Sequence, residues 1–309
     1  MNEKNVRRIK YIIPASFDGK YLKDFLTTQG YSIDLIKHLK NTVDLDMYKI
    51  LHAGESIIIE IYETEKSDIE PNPDLLLDIL YEDEEMIVVN KPADMPIHPS
   101  QGNYKNTLGN AIMAHFPNQN FVYRPITRLD RDTSGVCLIA KNRLSASVFQ
   151  AMIQRNLIRR SYLGLVKGNI YDALFMHSKV NKLDEIENIV NLDMVIDVPI
   201  KRADDSTILR VAAKDGEKAI TKLFALKYDK VRDISLCKFL LLTGRTHQIR
   251  VHMKHLGFPI IGDFLYNPDY EYINRQALHS NEIILAHPLK RNLLRIESKL
   301  PNDMRRLMN

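Results

Sequence analysis

The chain has 309 residues, 45 % of them hydrophobic, and its 43 Lys and Arg against 39 Asp and Glu leave a formal charge of +4. That is enough apolar material for a real core and for two domains, so a disordered or fibrous chain is excluded, while so mild a charge selects no partner by itself. Cys137 and Cys237 lie far apart in apolar runs, which excludes a disulfide framework or a zinc knuckle, and no apolar run reaches the roughly 18 residues of a membrane span.

The N-terminal "MNEKNVRRIK" carries charge with no apolar signal core behind it, so the protein is expected to be cytoplasmic, with no membrane partner. "YLKDFLTTQG" and "SIDLIKHLK" space their apolar residues as helices, with Gly30 as a stop and Ser32 as an N-cap. "ESIIIEIYE" then reads as a β-branched strand, closing a module of two short helices followed by strands. "TEKSDIEPNPDLL", with Pro71 and Pro73, has the composition of a linker. Beyond it strands and helices alternate. "EMIVVNK" is a strand, "TLGNAIMAHF" a helix capped by Thr107, and "GVCLIAKN" a strand buried on both faces. "RLSASVFQAMIQRN" repeats Leu144, Val148, Phe149 and Met152 as the stripe of a helix packed on a sheet. "SYLGLVKG", "AITKLFALKYD" and "SLCKFLLL" are further strands, so a mixed α/β or α+β domain follows the small module.

Charge is unevenly distributed along this order. Between Glu63 and Glu85 ten acidic residues face only Lys66, whereas between Tyr123 and Lys167 nine basic residues face only Asp130 and Asp132. Lys238 to His255 adds Lys238, Arg245, Arg250 and Lys254 without an acid. Two basic segments could converge on one face suited to a polyanion such as nucleic acid, or could simply be solvated helix faces.

Two stretches have the residue types of a reactive site. "RPITRLDRDTSGVCLIAKN" mounts Asp130 on a loop before a buried strand, as active-site groups often are. In "DTSG" a turn is expected in which Asp132, Thr133 and Ser134 bond their own backbone and Gly135 supplies a positive φ; Asp130 is left without a role in it. "TGRTHQIRVHMKHLG" reads as a strand end and a helix capped by Thr246 or Thr243, with Arg245 and Arg250 near its start. A carboxylate docked there would be kept ionised and oriented by the guanidinium fork; the alternative for either arginine is a phosphate contact or a surface charge. His247, His252 and His255 have no carboxylate among them to complete a metal motif, so no metal is expected, and Ser134 lacks the surroundings of a nucleophile elbow.

The stretches "YEDEEMIVVNKPADMPIHPS", "RLDRDTSGVCLIAKN", "RRSYLGLVKG", "GEKAITKLFAL", "TGRTHQIRVHMKHLGFPIIGDFLY" and "RQALHSNEIILAHPL" span residues 81 to 289 in order. In sequence and spacing they resemble the RluA-type pseudouridine synthases. The resemblance implies an α+β fold with a mixed, largely antiparallel central sheet and flanking helices, preceded by a small N-terminal α/β module that resembles an S-four-type RNA-binding domain. Residues 1–66 would form that module, 67–80 a linker and 81–309 the catalytic domain. The family's catalytic aspartate falls on Asp130, the arginine that displaces the flipped base on Arg128, the tyrosine that packs on the target ring on Tyr162, and the arginine paired with the catalytic carboxylate on Arg250. Arg128, Arg131, Arg245, His247 and Lys91 are the expected RNA contacts.

The chain departs from the family where Thr127 stands for a frequent histidine, where Asp94 stands for a usual glycine, and in a longer connection from Gly168 to Ile196, with helix expected at "KLDEIENIVNL". The activity implied is isomerisation of uridines in structured RNA, ribosomal RNA ahead of transfer RNA, by a monomer with no cofactor. The carboxylate would serve as nucleophile or as base. A catalytically silent RNA-binding protein of the same fold is the alternative, and a metal-dependent hydrolase built on the histidines a distant third.

Overall fold

The expected strand at "ESIIIEIYE" forms, and its partner is a segment whose charges conceal a strand. In the computed structural model, which describes residues 6–43, 45–63, 65–117, 121–177 and 193–308, β1 (Val6–Ile12) pairs antiparallel with β2 (Ser56–Tyr62). Arg8, Lys10 and Ile12 face outward while Ile9 and Tyr11 pack inward, so the alternation is real but masked by basic side chains. Helices α1 (Leu22–Thr28) and α2 (Ile33–Val43) lie between the strands. The order is thus strand, helix, helix, strand rather than helices followed by strands. Ser32 caps α2 by accepting from Leu35 N at 3.2 Å, and Gly30 takes φ +93° at the end of α1.

The remaining elements follow as β3 (Ile79–Glu82), β4 (Met86–Lys91), α3 (Leu108–His115), β5 (Arg124–Pro125), β6 (Ser134–Ala140), α4 (Arg143–Gln154), β7 (Arg159–Lys167) and α5 (Ile170–His177). After them come β8 (Asp193–Asp197), β9 (Ile200–Arg202), β10 (Arg210–Ala212), β11 (Ile220–Asp229), β12 (Ile234–Leu241), α6 (Gln248–His255), β13 (Leu278–Ala286), β14 (Leu293–Glu297) and α7 (Asn302–Arg305). A ten-stranded sheet runs β3-β4-β6-β13-β7-β12-β11-β8, with β14 on β13 and β5 on β6. Its ladders are antiparallel except where β13 meets β6 in parallel, so the fold is α+β with a mixed, largely antiparallel sheet. Within the long connection, α5 was not anticipated, and the helix expected at "KLDEIENIVNL" lies outside the described residues.

Alternation splits the central strands between two cores. From β4 and β6, Ile87, Val89, Cys137 and Ile139 enter one cluster with α3 and α6, while Met86, Val88, Val136 and Leu138 enter the other with α4 and the N-terminal module. The module docks closely on α4. Ser147 Oγ donates to Gly30 O at 2.8 Å and accepts from Ser32 N at 2.6 Å, and a Cβ at Gly30 would lie 3.2 Å from Val148 Cγ2. The acidic segment meets the basic one here. Arg124 pairs with Glu63 at 2.8 Å, Arg143 with Glu65, Lys141 with Glu82 at 2.8 Å, and Arg7 with the buried Glu85.

Candidate active site

Asp130 sits on the connection from β5 to β6, and that connection is fixed from two sides. Lys91, at the end of β4, is fully buried and donates to the carbonyls of Pro92, Met95 and Arg131 at 2.6, 2.8 and 2.8 Å. Burial pushes its ammonium down to about 8, so it still carries its protons at neutral pH. From the segment entering β13, Arg275 donates to Asp132 O at 3.2 Å and Gln276 to Thr133 Oγ1 at 3.2 Å, while His279 Nδ1 lies 2.9 Å from Ser134 Oγ. Gly135 does supply the positive φ, at +112°, but the "DTSG" side chains bind these distant partners and Arg131 rather than their own backbone.

Arg250, on α6, is 1 % exposed and sits between two carboxylates. Its Nε and Nη2 donate to Asp263 at 2.6 and 2.8 Å, and its Nη1 donates to Asp130 Oδ2 at 2.8 Å. Asp263 is wholly buried and also accepts from the backbone N–H of Leu265 and Tyr266. With each of its three nitrogens bonded to a carboxylate, the fork has one orientation, and it holds Asp130 from a rigid base. The rings of Tyr266 and Phe264 lie 5.1 and 5.5 Å from the guanidinium carbon. Asp130 itself is 26 % exposed, and its Oδ1 makes no hydrogen bond among the described residues; His247 Nε2 is 3.9 Å away.

Asp130, Arg250 and Tyr162 line one open cavity of about 930 Å³, with Arg128, Arg245, His247, His98, Leu278 and Arg160. Tyr162 lies on β7, 6 % exposed, with a phenol pushed up mainly by burial. His247 occupies the residue before α6 at φ +57°, its Nδ1 3.0 Å from the Tyr266 hydroxyl; burial lowers its pKa, favouring the neutral ring. Neither Thr243 nor Thr246 caps this helix. Instead Gln248 Oε1 accepts from Arg245 N and Thr243 Oγ1, closing the turn from inside the helix.

Of the five residues expected to meet RNA, Arg128 is exposed in the cavity and His247 lines it, whereas Arg245 is tied to Glu217 and to Lys218 O. One expectation needs correction. Lys91 offers nothing to a phosphate, because its three protons are committed to carbonyls inside the protein. Arg131 pairs with Asp132 and Asp94 and opens into a different cavity, of about 1100 Å³, bounded by Phe264, Tyr270, Tyr272 and Arg306. Asp130 and Arg250 do not line that cavity. Asp94 takes φ +57°, the left-handed turn for which glycine is usual. Sequence reasoning missed Asp263 and Arg160. An aspartate directly after Gly262 in the apolar "PIIGDF" was the available signal for the first; nothing local marked the second.

Residues 85–255 match the profile of the RNA pseudouridylate synthase family. An RNA pseudouridine synthase of Bacillus subtilis, YjbO, is 35 % identical over 84 % of this chain and 85 % of its own length. Ribosomal large subunit pseudouridine synthase D of Buchnera aphidicola (subsp. Schizaphis graminum) is 30 % identical over 94 % of both chains. The solved structure of human RNA pseudouridylate synthase domain containing 1 superposes with a TM-score of 0.56 at 23 % identity, over 74 % of this chain and 86 % of that one.

Proposed function

The chain belongs to the RNA pseudouridylate synthase family, of the RluA type, and from that premise we propose that it isomerises uridines in structured RNA through the carboxylate of Asp130. The protein is an isomerase acting on RNA. Ribosomal RNA is the first candidate substrate, supported by the Buchnera relative named for the ribosomal large subunit, and transfer RNA the second. Within this reading residues 81–309 carry the reaction and the N-terminal module braces α4.

The observation that carries the reading is the division of labour between the two oxygens of Asp130. Oδ2 is held by Arg250, whose other donors are fixed on Asp263, while Oδ1 stands open in a cavity walled by Tyr162. In the reaction the bond from the sugar C1′ to N1 breaks, the uracil turns, C1′ bonds to C5, the C5 proton leaves and N1 takes one up. No atom is gained or lost, so no redox partner is consumed. Attack by a carboxylate on the sugar or ring, and removal of a sugar proton by it, both use the oxygen that Arg250 leaves open. Arg250 contributes aim more than charge, since a carboxylate in water is already ionised at neutral pH. Tyr162 offers a flat wall that keeps the detached uracil in place. Reaching a paired base requires flipping it out at a cost of a few kcal/mol, offset by phosphate contacts.

The test is tritium release from RNA labelled at uridine C5, taken from cells lacking this gene. Asp130→Asn should lose roughly 1,000-fold or more in kcat while its RNA affinity stays near that of the parent protein. Turnover within tenfold of the parent rate would refute the role given to Asp130.

A further inference from the structure

Arg160 stands apart from the other cations of the cavity. Arg250 is spent on Asp130 and Asp263, and Arg245 on Glu217 and Lys218 O. Arg128 is exposed, as a mobile surface arginine would be. Arg160 is partly buried, yet among the described residues it makes no side-chain hydrogen bond or ion pair, and its buried Nε has no partner. A buried donor left unsatisfied costs about 1–3 kcal/mol. Such a group in a native protein has a reason, and a partner from outside the chain is one that fits an arginine facing a cavity.

Its mounting is rigid. Arg160 lies within β7, facing Leu241 of β12 on one side and Ile283 of β13 on the other, and two residues before Tyr162, so both side chains emerge on the same face of the sheet. The guanidinium lies against Gly244, where a Cβ would come within 2.9 Å of Nη1. Gly244 has no positive φ to explain it. The missing side chain there makes room for the fork instead.

We propose that Arg160, lodged against Gly244, is a phosphodiester-binding subsite of the Asp130 cavity, holding a backbone phosphate of the RNA beside the uridine that meets Tyr162. The planar fork suits two phosphate oxygens at once, and a group fixed on the strand that carries Tyr162 sets the nucleotide's depth relative to the ring. The inference rests on the RNA-modifying reading above, but its test needs no turnover.

Binding is measured in the Asp130→Asn background by filter retention of labelled ribosomal RNA from cells lacking the gene, at several salt concentrations. Arg160→Ala should weaken binding about tenfold and lower the slope of log affinity against log salt by about one. Arg160→Lys should restore the slope. Arg160→Met, which keeps the aliphatic stem but no charge, should behave as Ala. Gly244→Ala leaves every charge in place and should weaken binding by displacing the guanidinium. An unchanged salt slope in Arg160→Ala, or full recovery by Arg160→Met, would overturn the proposal, the second by marking the residue as packing. Because binding alone is read, a failure here is distinct from a failure of Asp130→Asn to abolish turnover.

Discussion

Lys91 and Arg250 are both long, cationic and fully buried, and each is understood through what it holds. In the sequence Lys91 is a basic residue at the end of a strand, a reasonable phosphate contact by type alone. Its actual surroundings, three carbonyls from residues 92, 95 and 131, come from segments that meet only in the fold. Replacing it with methionine keeps the volume of the stem but strands those carbonyls, one of them next to Asp130. Lys91→Met should therefore lose about 2–4 kcal/mol in urea denaturation and should lower kcat more than RNA affinity, because it loosens the loop and removes no RNA contact. A variant of parental stability that bound RNA more weakly would restore Lys91 to the RNA-contacting group. Arg250 was legible from the resemblance as the partner of Asp130. Its second carboxylate, Asp263, was not, because an aspartate after a glycine reads first as a turn residue.

At the scale of the element, the strands and helices with clean periodicity were readable and those whose pattern is overwritten by tertiary demands were not. Helix α3 begins after Thr107, which accepts from Asn110 N, and α4 buries Leu144, Val148, Phe149 and Met152 as its spacing requires. In β1, Arg7 takes an inward position and pairs with the buried Glu85, so the strand's in-and-out alternation holds while a cation stands where an apolar residue would mark it. The "DTSG" turn failed differently: the residue types suit a local turn, but β13 lies alongside and captures their side chains. Gly135 is where that proximity is most severe, since a Cβ there would fall 2.1 Å from Ser280 O at the parallel contact of β6 with β13, and its φ is +112°. Both the sterics and the backbone oppose any side chain. Gly135→Ala should cost more than about 3 kcal/mol or force β6 away from β13, and tritium release should fall with it because the loop bearing Asp130 ends in this strand. Retention of parental stability and rate would mean that the close approach does not govern the loop.

Over the whole molecule, the opposed charge blocks found in the sequence turn out to face one another as much as they face solvent. Arg7, Arg124, Lys141 and Arg143 are engaged by Glu85, Glu63, Glu82 and Glu65, which joins the N-terminal module and its connection to the sheet and removes those cations from any RNA surface. Sequence charge counts cannot separate these from Arg128 and Arg160, which line the cavity and make no side-chain ion pair among the described residues. The same packing makes stability depend on pH through histidines buried as neutral rings. Burial is the first cause of the lowered values at His247, His252 and His279, and it pushes His279 down to about 4. Between the ordinary histidine value near 6.5 and that depressed one, the unfolded chain binds a proton that the native chain refuses, so unfolding takes up protons and stability falls as pH falls. For His279 alone the full effect is on the order of 3 kcal/mol, and the lowered carboxylates Glu82, Asp83 and Asp303 add in the same direction only below about pH 4.5. The melting temperature should accordingly drop steadily from pH 7 to pH 4.5, and His279→Gln, which removes the titrating ring beside Ser134, should flatten that drop by up to one proton's worth of slope. A flat melting temperature across this interval, or an unaltered slope in His279→Gln, would show that the ring behind the Asp130 loop is protonated as readily in the folded protein as in the unfolded chain.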